Sequence, residues 1–469
     1  MSAYRPTIGL EIHAELKTRT KMFCTSKNDP DEENPNVNVC PVCMAYPGTL
    51  PVVNKEAVHS VLRVGAAVGG TIADYTEFDR KNYFYPDIPK GYQISQYEYP
   101  LVKGGELAGV KITRIHLEED TANAKHRGDT SLIDFNRAGM PLMELVTEPV
   151  IHDAVTAGNF ARELQQLLRA LGVAEAQMEK GQMRVEVNIS VSKDDTLGKR
   201  SEIKNINSFR AAERAIEFEI KRQTAVLGSG GVLLQETRGF DENTGETFSQ
   251  RLKEDSNDYR YFPDPDIPKL KISDIPEFAR DVLDASLPEL PATRRARLVA
   301  LGVRREDADV LIADHLYGAF FDAEVAGQLA PGLIGKGSNY LLTDVRAVAT
   351  ESMLNNLRNG VFGDVIRMTD AGDLSSRGTK DLLLRLMEKG GDAHTVAEKE
   401  GMLQMKDTAL IERIVDEVVV EHQGVVMEVQ KGKEEAMKFL IGMVMKKSKG
   451  AANPTDAATI LKSKIQQKT

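Results

Sequence analysis

The stretch Ile8-Gly9-Leu10-Glu11-Ile12-His13-Ala14-Glu15-Leu16 alternates apolar residues with Gly9, Glu11, His13 and Glu15. That is the period-two pattern of a strand with one buried and one polar face. The polar face presents two carboxylates and an imidazole. Side chains two residues apart on a strand stand roughly 6–7 Å apart, near enough to share divalent cations and too far for a direct hydrogen bond. Three further stretches carry the same mixture. Arg184-Val185-Glu186-Val187-Asn188-Ile189-Ser190-Val191 sets Arg184, Glu186, Asn188 and Ser190 on one side. Leu142-Met143-Glu144-Leu145-Val146-Thr147-Glu148 places Glu144 and Glu148 beside Leu142 and Val146. His116-Leu117-Glu118-Glu119-Asp120 puts three consecutive acids at the end of a strand that starts near Val110. Carboxylates on faces otherwise built from Val, Ile and Leu predict an open antiparallel sheet lined with hard oxygen ligands, of the kind that hold Mg²⁺ and bridge it to phosphates. For any one such strand, the alternative is a solvated polar face.

At 469 residues the chain is too long for one compact core, and two to three domains are expected. A hydrophobic content of 41% and a charged content of 28% describe a soluble globular protein. Met1–Thr7 contains no apolar signal core, and no apolar run of about 18 residues is present to span a bilayer. Three cysteines in so long a chain argue for a reducing compartment. A cytoplasmic protein with no membrane association is expected. The charge is unevenly spread. Residues 431–469 carry nine Lys, no Arg and three acids, whereas the whole chain has a net charge of −10. A basic module on an acidic body is an electrostatic footprint for a polyanion, the alternative being a solvated Lys-rich helix.

Punctuation divides the chain into 1–290, 291–400 and 401–469. The first part is rich in strand patterns, with helices expected at about 153–171, stopped by Gly172, and at about 208–226 behind the N-cap Ser208. Leu287-Pro288-Glu289-Leu290-Pro291 reads as a linker to a helical second part. The last part shows two amphipathic patterns, Ile411, Ile414, Val415, Val418 and Met437, Leu440, Ile441, Val444. Pro86-Asp87-Ile88-Pro89-Lys90 recurs as Pro265-Asp266-Ile267-Pro268-Lys269, each copy behind a Tyr-Phe pair. Two such Pro-fixed loops either frame a substrate entrance or are independent turns. There is no Gly-x-x-x-x-Gly-Lys-Ser/Thr loop and no Gly-x-Gly-x-x-Gly fingerprint, so any ATP must be held by metal, Lys and Arg. Cys24, Cys40 and Cys43 offer three thiolates where a closed zinc site wants four ligands, so Zn²⁺ is not expected.

Glu11-Ile12-His13, the run from Asp79 to Asp87, His116–Asp120, Asn136–Glu144 and Ser201–Phe209 together closely resemble the GatB family, the B subunits of the tRNA-dependent amidotransferases. The run from Gly432 to Pro454 resembles that family's YqeY-like C-terminal domain. The resemblance runs through essentially the whole chain in the family's order. It implies an α+β fold: a mainly antiparallel cradle domain related in shape to glutamine synthetase, then an all-α helical domain and a small all-α tail.

The resemblance also implies an activity. ATP phosphorylates the side-chain carboxylate of misacylated Glu-tRNA(Gln), Asp-tRNA(Asn) or both, and ammonia displaces the phosphate. Glu11, His13, Glu119, Asp120, Glu144 and Glu148 are implied as Mg²⁺ ligands, Lys81 and Arg184 as stabilisers of phosphate charge, and Tyr83, Glu202 and Asn205 as walls of the aminoacyl pocket. Many relatives carry Asp where Glu186 stands. Those with a zinc knuckle have a second thiol where Thr25 and Ser26 follow Cys24. The chain itself has no Ser-Ser-Lys amidase signature and no His-rich glutaminase context for its thiols. Ammonia must therefore come from a partner. The resemblance implies a heterotrimer with a GatA-like glutaminase and a GatC-like small subunit, contacting the tRNA at its 3′ acceptor end and its body. A non-catalytic tRNA-binding subunit and a free-standing metal phosphohydrolase remain the alternatives. ADP release that depends on misacylated tRNA separates the first, and ATP turnover without tRNA the second.

Overall fold

The computed structural model describes residues 4–194, 196–252, 259–404, 408–430, 432–448 and 452–466. The chain divides into two compact units, Met1–Pro291 and Ala292–Thr469.

In the first unit the Arg5–Glu15 strand lies at the centre of a ten-stranded sheet. It pairs antiparallel with Pro141–Thr147 on one side and Met183–Ser192 on the other. Val110–Glu119 follows Pro141–Thr147, while Ser201–Lys204, Glu236–Asp241 and Glu246–Leu252 continue from Met183–Ser192. The pairing of Ser201–Lys204 with Glu236–Asp241 is parallel, made through a helical crossover, and the other pairings are antiparallel.

The alternation read from residues 8–16 sets the two faces. Ile8, Leu10, Ile12 and Ala14 are buried together with Val185, Val187 and Ile189. Three helices pack into this core: α1 (Lys55–Ala67), α2 (Ala154–Ala170) and α3 (Phe209–Gly228). Asp153 caps α2 by accepting from the Thr156 N–H, and Ser208 caps α3 by accepting from the Ala211 N–H. Gly172, at φ +68°, takes the left-handed turn beyond α2 that a β-carbon would strain. The expected helices at 153–171 and 208–226 thus appear with their expected caps.

The second unit is helical and holds two hydrophobic clusters. One gathers residues between Leu298 and Ala397, including Phe320, Phe362, Leu382 and Leu386. The other joins four helices, Thr408–Glu421, Gln423–Gln430, Glu434–Lys447 and Pro454–Gln466. Ile411, Val415, Val418, Leu440 and Val444 are buried there, while Ile414, Met437 and Ile441 pack at its edge. Lys431, Lys449 and Lys468 of the basic tail lie outside the described residues.

Phe160, fully buried on α2, anchors that helix in the sheet's core. We predict that Phe160→Ala costs about 3–5 kcal/mol of unfolding free energy. Denaturant titration of the full chain checks this, and a loss under about 1 kcal/mol would show that the helix is held from elsewhere.

Candidate active site

The strand register builds the site. Glu11 lies opposite Glu186, and His13 opposite both Arg184 and Glu144. Glu144 in turn faces His116, Leu142 faces Glu118, and Asn188 faces Glu202. Because partners in register share a face, five strands deliver these side chains to one surface. His13 Nε2 lies 3.4 Å from Glu118 Oε1, 3.4 Å from Glu144 Oε2 and 3.9 Å from Glu11 Oε1. His116 Nε2 is 3.4 Å from Glu144 Oε2.

Three overlapping groups result, Glu11/His13/Glu144, His116/Glu118/Glu144 and Glu11/Glu186/Glu202, each with its ligand atoms within 4.8 Å of one another. His13 Nδ1, His116 Nδ1 and Glu118 Oε2 are buried with no hydrogen-bond partner. An orphaned buried carboxylate oxygen among converging carboxylates and imidazoles fits a hard divalent cation.

Without a metal, protons and lysines balance the charge. Burial alone would lower the pKa of His13, but contacts with Glu118 and Glu144 outweigh it and hold the imidazole well above its usual value. Glu144 is buried too, yet His116 and His13 keep it well below the usual carboxylate range. Burial, then Glu144 and Glu186, push Glu11 from 4.5 up to about 7. Burial would neutralise Lys81, but the fields of Glu118 and Glu144 raise its pKa and hold it charged. Lys204 Nζ lies 2.7 Å from Glu186 Oε2 and 3.7 Å from Glu202 Oε1.

The structure gathers some of the residues named from sequence and not others. Glu11, His13, Glu144 and Glu202 lie in the cluster, with Lys81 close enough to feel it. Tyr83 stacks edge-on against Tyr259, whose ring lies 5.0 Å from Lys81 Nζ. Glu119 lies outside the three groups: its carboxylate binds Lys90 Nζ at 2.7 Å and accepts the Ile94 N–H at 3.0 Å, and Glu118 takes the place in the cluster. The cause is a bulge. Val146 faces Arg114 and Thr147 faces Ile112, which leaves Thr113 unpaired and reverses the alternation beyond it.

Glu148 follows the end of its strand and accepts from Thr113 Oγ1 at 2.8 Å, away from the cluster. Asp120 is held by both Arg184 guanidinium nitrogens, at 3.1 and 3.2 Å, so these two residues neutralise each other. Asn205 is exposed just past Ser201–Lys204 with a left-handed backbone, φ +60°, which Asn tolerates well. His116, Glu186 and Lys204 were given no role from sequence, although Glu186 and His116 both stood in the stretches that defined the face.

The thiols depart from expectation in another way. Cys24, Cys40 and Cys43 place their sulfurs within 4.8 Å of one another, a candidate metal site despite the count of three. Ser26 Oγ sits 3.8 Å from Cys43 Sγ, and the buried Lys21 Nζ lies 3.9 Å from the same sulfur while donating to the Phe135 and Ala138 carbonyls. The Cys24 thiol, the Cys40 N–H and Lys21 hold Cys43 down at about 4, so one thiolate with an ammonium beside it is the arrangement without metal. Cys43, Lys90, Glu119 and Asp266 line one cavity of about 210 Å³. Lys90 and Asp266 come from the two Pro-Asp-Ile-Pro-Lys loops, and Arg80, on the Asp79–Asn82 strand, holds the second of them by binding Asp264 at 2.8 Å and Asp266 at 2.9 Å.

The raised groups set a pH dependence. Glu11 rises to about 7 and Glu15 to about 8, chiefly through burial, and His13 also rises. A group whose folded pKa exceeds its unfolded value stabilises the fold at low pH and loses that contribution as pH rises through the folded pKa. We predict that the metal-free chain loses thermal stability between about pH 5 and 8 and that Mg²⁺ restores it most at the upper end, where it replaces departing protons. Melting curves across that range with EDTA or Mg²⁺ check this; a flat profile indifferent to Mg²⁺ would remove the cation from the site.

Residues 6–276 match the family model of the GatB/GatE catalytic domain, and residues 336–465 match that of the GatB domain. A relative from Persephonella marina is 40% identical over 99% of this chain and 100% of its own. One from Thermus thermophilus is 40% identical over 96% of this chain and 97% of its own, and one from Gloeothece citriformis 38% over 99% and 98%. All three are named as the B subunit of an aspartyl/glutamyl-tRNA(Asn/Gln) amidotransferase. The polar-faced sheet thus lies within the matched catalytic region, and the chain belongs to the GatB family, the B subunits of the tRNA-dependent amidotransferases.

Proposed function

We propose that this chain is the carboxylate-activating half of the amidotransferase. It uses ATP to phosphorylate the side-chain carboxylate of glutamate or aspartate carried on tRNA, then directs ammonia onto the acyl phosphate. The observation that supports this most is the pairing of two ligand groups, Glu11/His13/Glu144 and Glu11/Glu186/Glu202, which share Glu11 on the central strand. These residues would hold Mg²⁺, which supplies neutralisation of triphosphate charge and alignment for in-line transfer.

The remaining work falls to the chain's own groups. A carboxylate oxygen of the aminoacyl group attacks the γ-phosphorus as the bond to ADP breaks. Lys81, kept charged by Glu118 and Glu144, stabilises the transferring phosphoryl group. Ammonia then attacks the acyl carbon, phosphate leaves, and the proton lost from nitrogen passes to a neighbouring base. Arg184 is engaged by Asp120 and orders the edge of the site instead of meeting phosphate directly. A GatA-like glutaminase supplies ammonia, a GatC-like subunit joins the two, and the assembly works in the cytoplasm.

Removing a ligand should cost several kcal/mol of transition-state stabilisation. Accordingly His13→Ala or Glu11→Gln is expected to abolish amide formation by the assembled complex while glutamine hydrolysis stays measurable. Full amidation by either variant would take these residues out of the site.

The tail, residues 401–469, is the proposed site of attachment for the tRNA body. Lys433, Lys447 and Lys464 are tied to Glu428, Glu417 and Glu421, and Asp416 respectively. Among the described residues of the tail Lys438, Lys446, Lys462 and Arg413 have no carboxylate partner, and the three lysines, which lie in the basic stretch 431–469, are positioned to meet phosphate. Replacing them together with Gln should raise the KM for misacylated tRNA and lower the salt slope of binding by roughly one for each lysine–phosphate pair removed. Unchanged affinity at every salt concentration would mean that the cradle and helical part hold the tRNA alone.

A further inference from the structure

Nothing in the chemistry proposed above uses the thiols, yet their geometry is that of a reactive pair. Cys40-Pro41-Val42-Cys43 forms one helical turn, closed by the Met44 N–H donating to the Cys40 carbonyl at 3.0 Å. The turn brings Cys40 Sγ to 3.9 Å from Cys43 Sγ, and the Cys40 N–H donates to Cys43 Sγ at 3.1 Å. α-Carbons three residues apart on such a turn stand about 5 Å apart, inside the span of roughly 4.4–6.8 Å that a disulfide bridges. Side-chain rotation and a small shift of the turn can therefore join the two sulfurs.

Cys43 is the sulfur set up to react. Lys21, fully buried, holds its Nζ 3.9 Å from Cys43 Sγ while donating to the Phe135 and Ala138 carbonyls at 3.1 and 2.7 Å. An ammonium fixed beside a sulfur favours its thiolate, the nucleophilic form. The same ammonium disfavours zinc: a closed site takes four ligands, only three thiols converge, and the metal's charge would face that of Lys21. Cys43 also lines the cavity of about 210 Å³ whose wall includes the exposed Tyr46. A water molecule takes about 30 Å³ of liquid, so hydrogen peroxide, which is little larger, has room to reach the sulfur.

We propose that Cys43 is a site of oxidation by hydroperoxides and that Cys40 resolves it to a reversible disulfide. The Cys43 thiolate attacks one peroxide oxygen, the O–O bond breaks, and the other oxygen leaves as hydroxide, which takes a proton from solvent. Cys43 is then a sulfenic acid. Cys40 attacks its sulfur, the S–S bond forms, the S–O bond breaks, and water departs with the Cys40 proton. Two thiols are oxidised and one hydrogen peroxide is reduced to two waters. Such a disulfide is transient in a reducing compartment, where a dithiol reductant returns it to the thiols.

Peptide mapping of the full chain tests this. Cys40 and Cys43 fall on the tryptic peptide Asn28–Lys55, whereas Cys24 falls on Met22–Lys27. After hydrogen peroxide and then iodoacetamide, the first peptide should be two hydrogens lighter than its free dithiol form and carry no alkyl group, while Cys24 is alkylated; dithiothreitol should reverse the change. With Cys24 and Cys40 both replaced by Ser, Cys43 should accumulate as a sulfenic acid that dimedone traps. Lys21→Met should slow the oxidation about tenfold or more, because the thiolate fraction falls. The double-Ser variant, altered only at half-buried positions, carries the test if the Lys21 variant does not fold. A cross-link between the two peptides would give the resolving role to Cys24 and overturn the pairing. Thiols that stay reduced at peroxide concentrations that oxidise glutathione overturn the site, as does stoichiometric zinc in the purified chain that keeps all three from reacting.

Discussion

Like charges converge on the sheet face, and the rest of the molecule is arranged around that constraint. Glu11, Glu118, Glu144, Glu186 and Glu202 belong to overlapping groups whose members lie within ligand-sharing distance. Two carboxylates 4 Å apart repel by about 4 kcal/mol at an effective dielectric of 20. The apolar underside, sealed by α1, α2 and α3, keeps water from screening them from below. The compensation is built in at intervals: His13 and His116 between the first carboxylates, Lys204 beside Glu186 and Glu202, and Arg114 3.5 Å from Glu144. The protonation of His13 and the elevated pKa of Glu11 have the same origin. A divalent cation entering this face relieves a repulsion that the fold otherwise meets with protons.

Much of this was legible in residues 8–16, because period-two alternation survives intact in a central strand flanked by regular neighbours. The assignment of Glu11, His13 and Glu144 to one face needed only that periodicity and the family's motif. Glu118 against Glu119 was not legible. Counting alternately from Val110 and Ile112 puts Glu119 on the polar face, and only the unpaired Thr113 reverses the parity. Ile115 and Leu117, both buried, carried the correcting signal, since they bracket His116 and point the other way. The Asp120–Arg184 pair was also beyond reach, because it joins residues 64 apart and depends on which strands become neighbours.

The surroundings of the thiol cluster were hidden for a related reason. Sequence shows how many thiols exist but not that Lys21, buried from a neighbouring turn, comes within 3.9 Å of one of them. A charge at that point offers the thiolate a partner of its own, so the loop around Cys40–Cys43 has a means of holding together whether or not a cation is present. The basic tail shows the converse. Its composition was visible, but Lys433, Lys447 and Lys464 turn out to be engaged by acids of the same cluster. Composition therefore overstated the charge available to a polyanion.

The central strand is made well before either of its neighbours. Residues 5–15 emerge with one apolar face and both hydrogen-bonding edges unpaired, and their two neighbours in the sheet are residues 141–147 and 183–192. At about 5–20 residues per second, the interval before the second neighbour is synthesised is roughly 10–30 s. During that time the sheet's nucleus cannot close, and non-local pairing of this kind is slow even once the chain is complete. The same placement that lets Glu11 and His13 reach carboxylates from both sides leaves the nascent segment dependent on something to shield it.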